Sequence, residues 1–204
     1  MAPNLSLFSV NAILILSPDT TRVLAKYYHP PHSTTTTTTT SSTPNTSQQS
    51  NPYPTLKEQK PFEKGLVEKT SKSNSDIILY DNRVVVFKAE SDVMLYVVGG
   101  VEENEMLLWH TLLALRDSLN ILLKNATDKR TLLENYDIVS LAIDEIVDDG
   151  IILETDPATI ASRVSKPPMQ EVGGVKGLDL SEQGLLNAWE FGKKQLAERL
   201  RQGL

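Results

Sequence analysis

The chain has 204 residues and a formal net charge of −6, with 20 Lys and Arg against 26 Asp and Glu, and it contains no cysteine. This acidic balance argues against a dedicated nucleic-acid binder, which needs a basic face to displace counterions from phosphates. Disulfides, thiolate catalysis and Cys-type zinc or iron–sulfur centres are excluded outright.

Apolar runs such as 12–16 are far short of the roughly 20 residues that span a bilayer. No Lys or Arg precedes Arg22, and Asn11 interrupts the first apolar stretch. A signal peptide is therefore not expected, and the compartment reading is cytosolic, with any membrane contact peripheral. The sequons at Asn4, Asn45 and Asn125 are then chance matches.

Residues 7–16 (LFSVNAILIL) read as a strand that becomes apolar on both faces, the mark of a central position in a sheet. The cluster Ser17-Pro18-Asp19-Thr20 is a turn, and 22–28 alternates as a second strand, so the two form an antiparallel hairpin. After His29-Pro30-Pro31-His32 come seven consecutive threonines, 34–40, and then Ser, Thr, Pro, Asn and Gln to Pro54. With so little to bury, the stretch from about 30 to 54 reads as a disordered surface insertion.

A helix is predicted over 56–71, with Leu56, Phe62, Leu66 and Val67 as a sparse apolar stripe. Its lysines at 57, 60, 64, 69 and 72 hint at an anionic surface, but interleaved Glu58, Glu63 and Glu68 read as a solvated face. Three strands follow, 77–80, 84–88 and 93–98. Asp81-Asn82 tolerates the positive φ of a tight hairpin turn, so the strands form an antiparallel meander. A long helix over 103–124 places Leu108, Leu112, Leu115, Leu119 and Leu122 on a core stripe. A second, over 130–147, carries Leu132, Tyr136, Val139, Ile143 and Ile146, with Gly150 at its C-cap. Asp156-Pro157 opens a further helical turn to about 164. Beyond Lys166-Pro167-Pro168, residues 169–180 read as a Gly-rich linker. The last stretch, 181–204, reads as an amphipathic helix with Leu185, Trp189, Leu196 and Leu200 on one side. The main domain is thus 1–168. The order β-β-α-β-β-β-α-α defines an α+β fold, a five-stranded antiparallel sheet with flanking helices.

The sequence offers no catalytic, cofactor or metal site. Asp144, Glu145, Asp148 and Asp149 crowd one helix without the loop spacing of a calcium site. No catalytic or metal-binding set is evident in the sequence around His29, His32 and His110, and Gly173-Gly174-Val175-Lys176-Gly177 lacks the spacing of a phosphate loop. The unusual feature is a second apolar stripe on the helix over 103–124, formed by Met106, Trp109 and Leu113. Either the following helix covers it, or it is a partner-binding face with Trp109 as anchor.

Several segments resemble the zeta family of coatomer small subunits. They are Asn11-Ala12-Ile13-Leu14-Ile15-Leu16 with Ala25-Lys26-Tyr27-Tyr28, Lys57-Glu58-Gln59-Lys60-Pro61-Phe62-Glu63-Lys64, and Tyr96-Val97-Val98-Gly99 with Glu103-Asn104-Glu105. Lys129-Arg130-Thr131-Leu132-Leu133-Glu134-Asn135 belongs with them. The most specific is Ala142-Ile143-Asp144-Glu145-Ile146-Val147-Asp148-Asp149-Gly150, continuing to Glu154-Thr155-Asp156-Pro157. The resemblance covers 11–29 and 55–166, and the Thr-rich insertion departs from it. It implies a longin-like (SNARE-like) fold similar to that of clathrin-adaptor sigma subunits. It further implies a non-catalytic COPI coat subunit, cytoplasmic and peripheral on Golgi membranes, serving retrograde and intra-Golgi transport. The implied partners are the coatomer gamma subunit, in a tight heterodimer, the other subunits of a heptamer, and indirectly an Arf-family GTPase. The alternative is a stand-alone longin-type trafficking or GTPase-regulating module.

Overall fold

A computed structural model describes residues 7–29 and 53–165. The insertion expected over about 30–54 falls outside the described residues except at its end, where the expectation is corrected: Tyr53 is buried and stacks on Phe62 with ring centroids 4.2 Å apart. His32, the linker and the C-terminal helix also fall outside the described residues.

The elements run β1 (Val10–Leu16), β2 (Arg22–Tyr27), α1 (Leu56–Thr70), β3 (Ile77–Tyr80), β4 (Arg83–Glu90), β5 (Val93–Gly100), α2 (Glu105–Leu122), α3 (Lys129–Glu134), α4 (Tyr136–Ile146), β6 (Val147–Asp148), β7 (Ile151–Ile152) and α5 (Pro157–Val164). Five strands pair antiparallel in the order β2-β1-β5-β4-β3. The strand that is apolar on both faces is central, and every residue of β1 is buried. Asp81 and Asn82 both have positive φ, 50° and 56°, which closes the β3–β4 hairpin as the sequence predicts.

The pleat divides the sheet into two apolar faces. Ala12, Leu14, Leu16, Val85, Phe87, Tyr96 and Val98 meet Phe62, Leu66 and Val67 of α1. Ile13, Ile15, Val84, Val86, Leu95 and Val97 meet Leu108, Leu112, Leu115 and Leu119 of α2, with α4 and α5 behind. The molecule is thus layered helix–sheet–helix, and the core stripe read from α2 is fully buried except for Leu122, which is partly covered.

Two expectations are corrected. The helix over 130–147 is two helices, because Asn135 leaves helical geometry at φ −115° and ψ 33° while its side-chain amide bonds to Thr131 O at 2.8 Å. Gly150 is not a helix C-cap: the chain passes directly from α4 into the β6–β7 ribbon, and Gly150 turns that ribbon with φ +80°. Its carbonyl accepts from both Ser9 N and Val10 N at 3.0 Å, tying the ribbon to the start of β1.

Helix entry is fixed by carboxylate caps. Asp128 accepts from Thr131 N and Oγ1 at 3.2 and 2.7 Å, and Asp156 accepts from Thr159 N at 2.8 Å. In the turn after β1, Asp19 accepts from Thr21 N and Oγ1 at 3.0 and 2.6 Å. These hydrogen bonds hold all three carboxyls below the usual carboxylate range. A carboxyl with a depressed folded pKa contributes stability above its unfolded value, about 3.9, and loses it as pH falls through the folded value. The urea midpoint is therefore expected to drop below about pH 4. Replacing all three by Asn keeps a cap acceptor without a titrating proton and should flatten that limb. An unchanged acid slope in the triple variant would contradict the assignment.

Candidate partner-binding surface

Helix α2 begins at Asn104, whose side chain accepts from Met106 N at 2.9 Å. Its sheet-facing stripe descends close to β5 because Gly99 has no side chain: a Cβ there would lie 2.6 Å from Leu108 Cδ1. On one flank Thr111, Ala114 and Ser118 are buried, and α2 packs against α4 and α5. Small residues on that flank let the helices approach.

The opposite flank carries Met106, Trp109 and Leu113. Trp109 is partly buried against the core, and Lys88 Nζ of β4 lies 5.5 Å from its ring centroid. One to two turns on, Arg116 pairs with Glu90 at the end of β4, 3.5 Å away. Leu113 is half-buried and Met106 is 57% exposed. The helices that follow α2 therefore pack on its other side, and this flank looks out over β4 toward the sheet edge.

At that edge the apolar surface continues. The register sets Ile77 opposite Val86 and Leu79 opposite Val84, on the face that α2 covers. Ile77 and Leu79 lie beyond the reach of the helix and are 37% and 61% exposed. Sequence reading does not single out these two residues, although alternation in 77–80 and the tight Asp81-Asn82 turn fix their face once α2 is placed. Met106, Trp109 and Leu113 on the helix and Ile77 and Leu79 on β3 thus leave partly exposed apolar residues on the same side of the sheet. Exposed apolar surface of this kind suits contact with another protein.

Groups that could do chemistry are dispersed. Asp144 pairs with Lys26, and Arg163 pairs with Glu145 and Glu154 at 3.3 and 3.5 Å, so half of the acidic run is taken up in ion pairs, and Asp148 and Asp149 are exposed. Among the described residues no cluster of His, Asp or Glu could hold a metal ion. His29 and His110 are exposed. A shallow depression of about 440 Å³, lined by Asp92, Lys129, Arg130, Leu133 and Glu134, is wide open to solvent. Arg130 and Glu134 within it are paired at 2.7 Å, and Asp92 accepts from the Lys129 backbone at 2.7 Å. Tyr27 and Tyr53 are pushed well above the usual phenol range by burial and by the neighbouring carboxylates Glu63 and Asp81, so they serve as neutral hydrogen-bond donors.

Residues 9–170 match the clathrin adaptor complex small chain family, and the chain belongs to it. Within that family it is similar to the coatomer zeta subunits. It is 43% identical over 203 residues to coatomer subunit zeta of Saccharomyces cerevisiae, covering 98% of this chain and 99% of that one. It is 38% identical over 193 residues to coatomer subunit zeta-1 of Homo sapiens, covering 94% and 92%. A chain in a homology model of the full-length AP-3 complex in a stretched open conformation shares the fold, with a TM-score of 0.52 at 18% identity over 76% of this chain and 90% of that one. The five-stranded antiparallel sheet with flanking helices is thus the adaptor small-chain fold.

Proposed function

We propose that this chain is a non-catalytic small subunit of the COPI coat. It buries the α2 flank against the coatomer gamma subunit to build the adaptor-like part of the assembly for Golgi-to-ER and intra-Golgi transport. The observation that carries the reading is exposed Met106 and half-buried Leu113 flanking Trp109 on α2, with Ile77 and Leu79 exposed on the same side of the sheet, in a chain similar along its length to coatomer zeta subunits. Exposed apolar residues clustered around a half-buried Trp supply the anchor-and-surround arrangement that dominates protein interfaces. The remaining coatomer subunits would join through gamma. The Arf-family GTPase would be engaged through those partners, and the subunit would act from the cytoplasm, peripheral on Golgi membranes. No helix among the described residues is long and apolar enough to cross a membrane.

Affinity purification of the tagged full-length chain from cytosol tests this. The expected result is stoichiometric recovery of a large helical-repeat subunit together with the other coat subunits. Recovery of the chain alone, or with a GTPase only, would overturn it in favour of a free-standing trafficking module. Met106→Asp with Leu113→Asp is expected to cut recovery of the large subunit at least about tenfold, the loss of one or two well-buried anchors. Both residues lie outside the packed core, so circular dichroism should not change. Undiminished recovery would place the contact elsewhere.

A further inference from the structure

Helix α1 carries Lys57, Lys60, Lys64, Lys69 and Lys72 in and just beyond its span, with Glu58, Glu63 and Glu68 interleaved. In sequence the signs alternate; in the fold they do not. Glu63 turns under the helix and is 1% exposed, held by Arg22 and by Tyr27 Oη at 3.1 Å. Glu58 folds back on the helix start, where Thr55 N and Oγ1 donate to it at 3.0 and 2.9 Å. Glu58 and Glu68 stay exposed, and the exposed lysines outnumber them. Lys57, Lys60 and Lys64 recur at helical spacing along the outer face of a helix about 22 Å long, with Lys60 3.7 Å from Glu63, and Lys72 follows just past the helix end. Leu56, 57% exposed, stands at the N-terminal end of the row.

The opposite layer has the reverse charge. Between residues 105 and 164, the span of α2 to α5, there are eleven carboxylates against five basic side chains. The acidic chain is thus polarised across its sheet, with the basic pole on α1.

We propose that the outer face of α1 docks on an anionic lipid surface. The row of lysines runs along the crest of a helix, a shape that meets a plane better than it cradles a peptide. A charge dipole perpendicular to the sheet orients the whole molecule toward an extended negative surface, with the carboxylate-rich layer turned away. Leu56 is placed to enter the headgroup region. This contact is independent of the protein that occupies the α2 flank.

Flotation of the full-length chain with vesicles of phosphatidylcholine alone, or with about one third phosphatidylserine, tests it. The expected result at low salt is about tenfold more protein on the anionic vesicles, falling toward the neutral level at about 0.3 M salt. Lys57→Gln with Lys64→Gln and Lys72→Gln should abolish the difference with the thermal melt unchanged, since all three ammonium groups face solvent. Lys124→Gln with Arg130→Gln, on the acidic side, should leave it intact. Equal recovery on both vesicles overturns the proposal. So does full binding by the α1 triple variant, which would put the contact on another segment. Salt-sensitive capture of an acidic protein in the absence of any vesicle preference would assign the face to a protein partner and likewise overturn it.

Discussion

Gly150→Ala is expected to destabilise the chain by about 3 kcal/mol, combining the left-handed backbone penalty with overpacking of a closed site. A Cβ at Gly150 would stand 2.2 Å from Phe8 Cε2 and 2.6 Å from Val10 O. The ring could turn aside, but the carbonyl belongs to the central strand and cannot. The same glycine carbonyl receives Ser9 N and Val10 N, so any shift that relieves the clash also loosens two backbone hydrogen bonds. Gly100→Ala is the matching control, because its Cβ would meet Glu103 Cγ at an ordinary 3.5 Å. The control is expected to cost less than about 1 kcal/mol. Urea unfolding of the two variants gives the comparison, and similar midpoints would show that the ribbon is not anchored through Gly150.

Arg22→Met is expected to cost about 3 kcal/mol at neutral pH, because it strands a buried carboxylate. Arg22 Nε donates to Glu63 Oε2 at 3.2 Å, its Nη2 donates to Oε1, and the same Nη2 reaches Gln59 Oε1 at 3.0 Å. Lys60 at 3.7 Å and Tyr27 Oη remain, yet neither replaces the two-point contact of the guanidinium. Adding Glu63→Gln to Arg22→Met removes the stranded charge and is expected to recover about half of the loss, read as a coupling in a double-mutant cycle. Additive single-variant losses would show that the pair is solvated and not buried.

These two sites mark the boundary of what the sequence makes legible. The β1–β2 hairpin, the meander and the α2 core stripe were readable because each rests on a local period or a turn residue with one favoured geometry. Asp81-Asn82 is the clearest case. Two-residue strands such as β6 and β7 have no period, so Gly150 reads as a helix stop until Ser9 and Val10 are placed against it. The burial of Glu63 depends on Arg22, 41 residues earlier, and nothing in the Lys/Glu alternation of α1 reveals it. The α2 surface was half legible. Its second apolar stripe stands out in the sequence, but which flank α4 and α5 cover is decided by where those helices land, and the contribution of Ile77 and Leu79 appears only with the sheet register. The adaptor small-chain relationship was readable because it rests on long, specific runs such as 142–150 and not on period.

The strand order β2-β1-β5-β4-β3 also bears on how the protein is born. Of the five strands, β1 leaves the ribosome first and is an interior strand of the finished sheet. It can pair with β2 at once, but the resulting hairpin has apolar faces on both sides and a bare edge on β1. That edge waits for β5, one face waits for α1, and the other waits for α2. Unpaired edges joined to apolar faces are what drive nascent chains to associate. For most of its synthesis the chain is therefore expected to need a chaperone at its N-terminal hairpin. That need ends as β5 and α2 emerge, and the Gly150 carbonyl then ties down Ser9 and Val10.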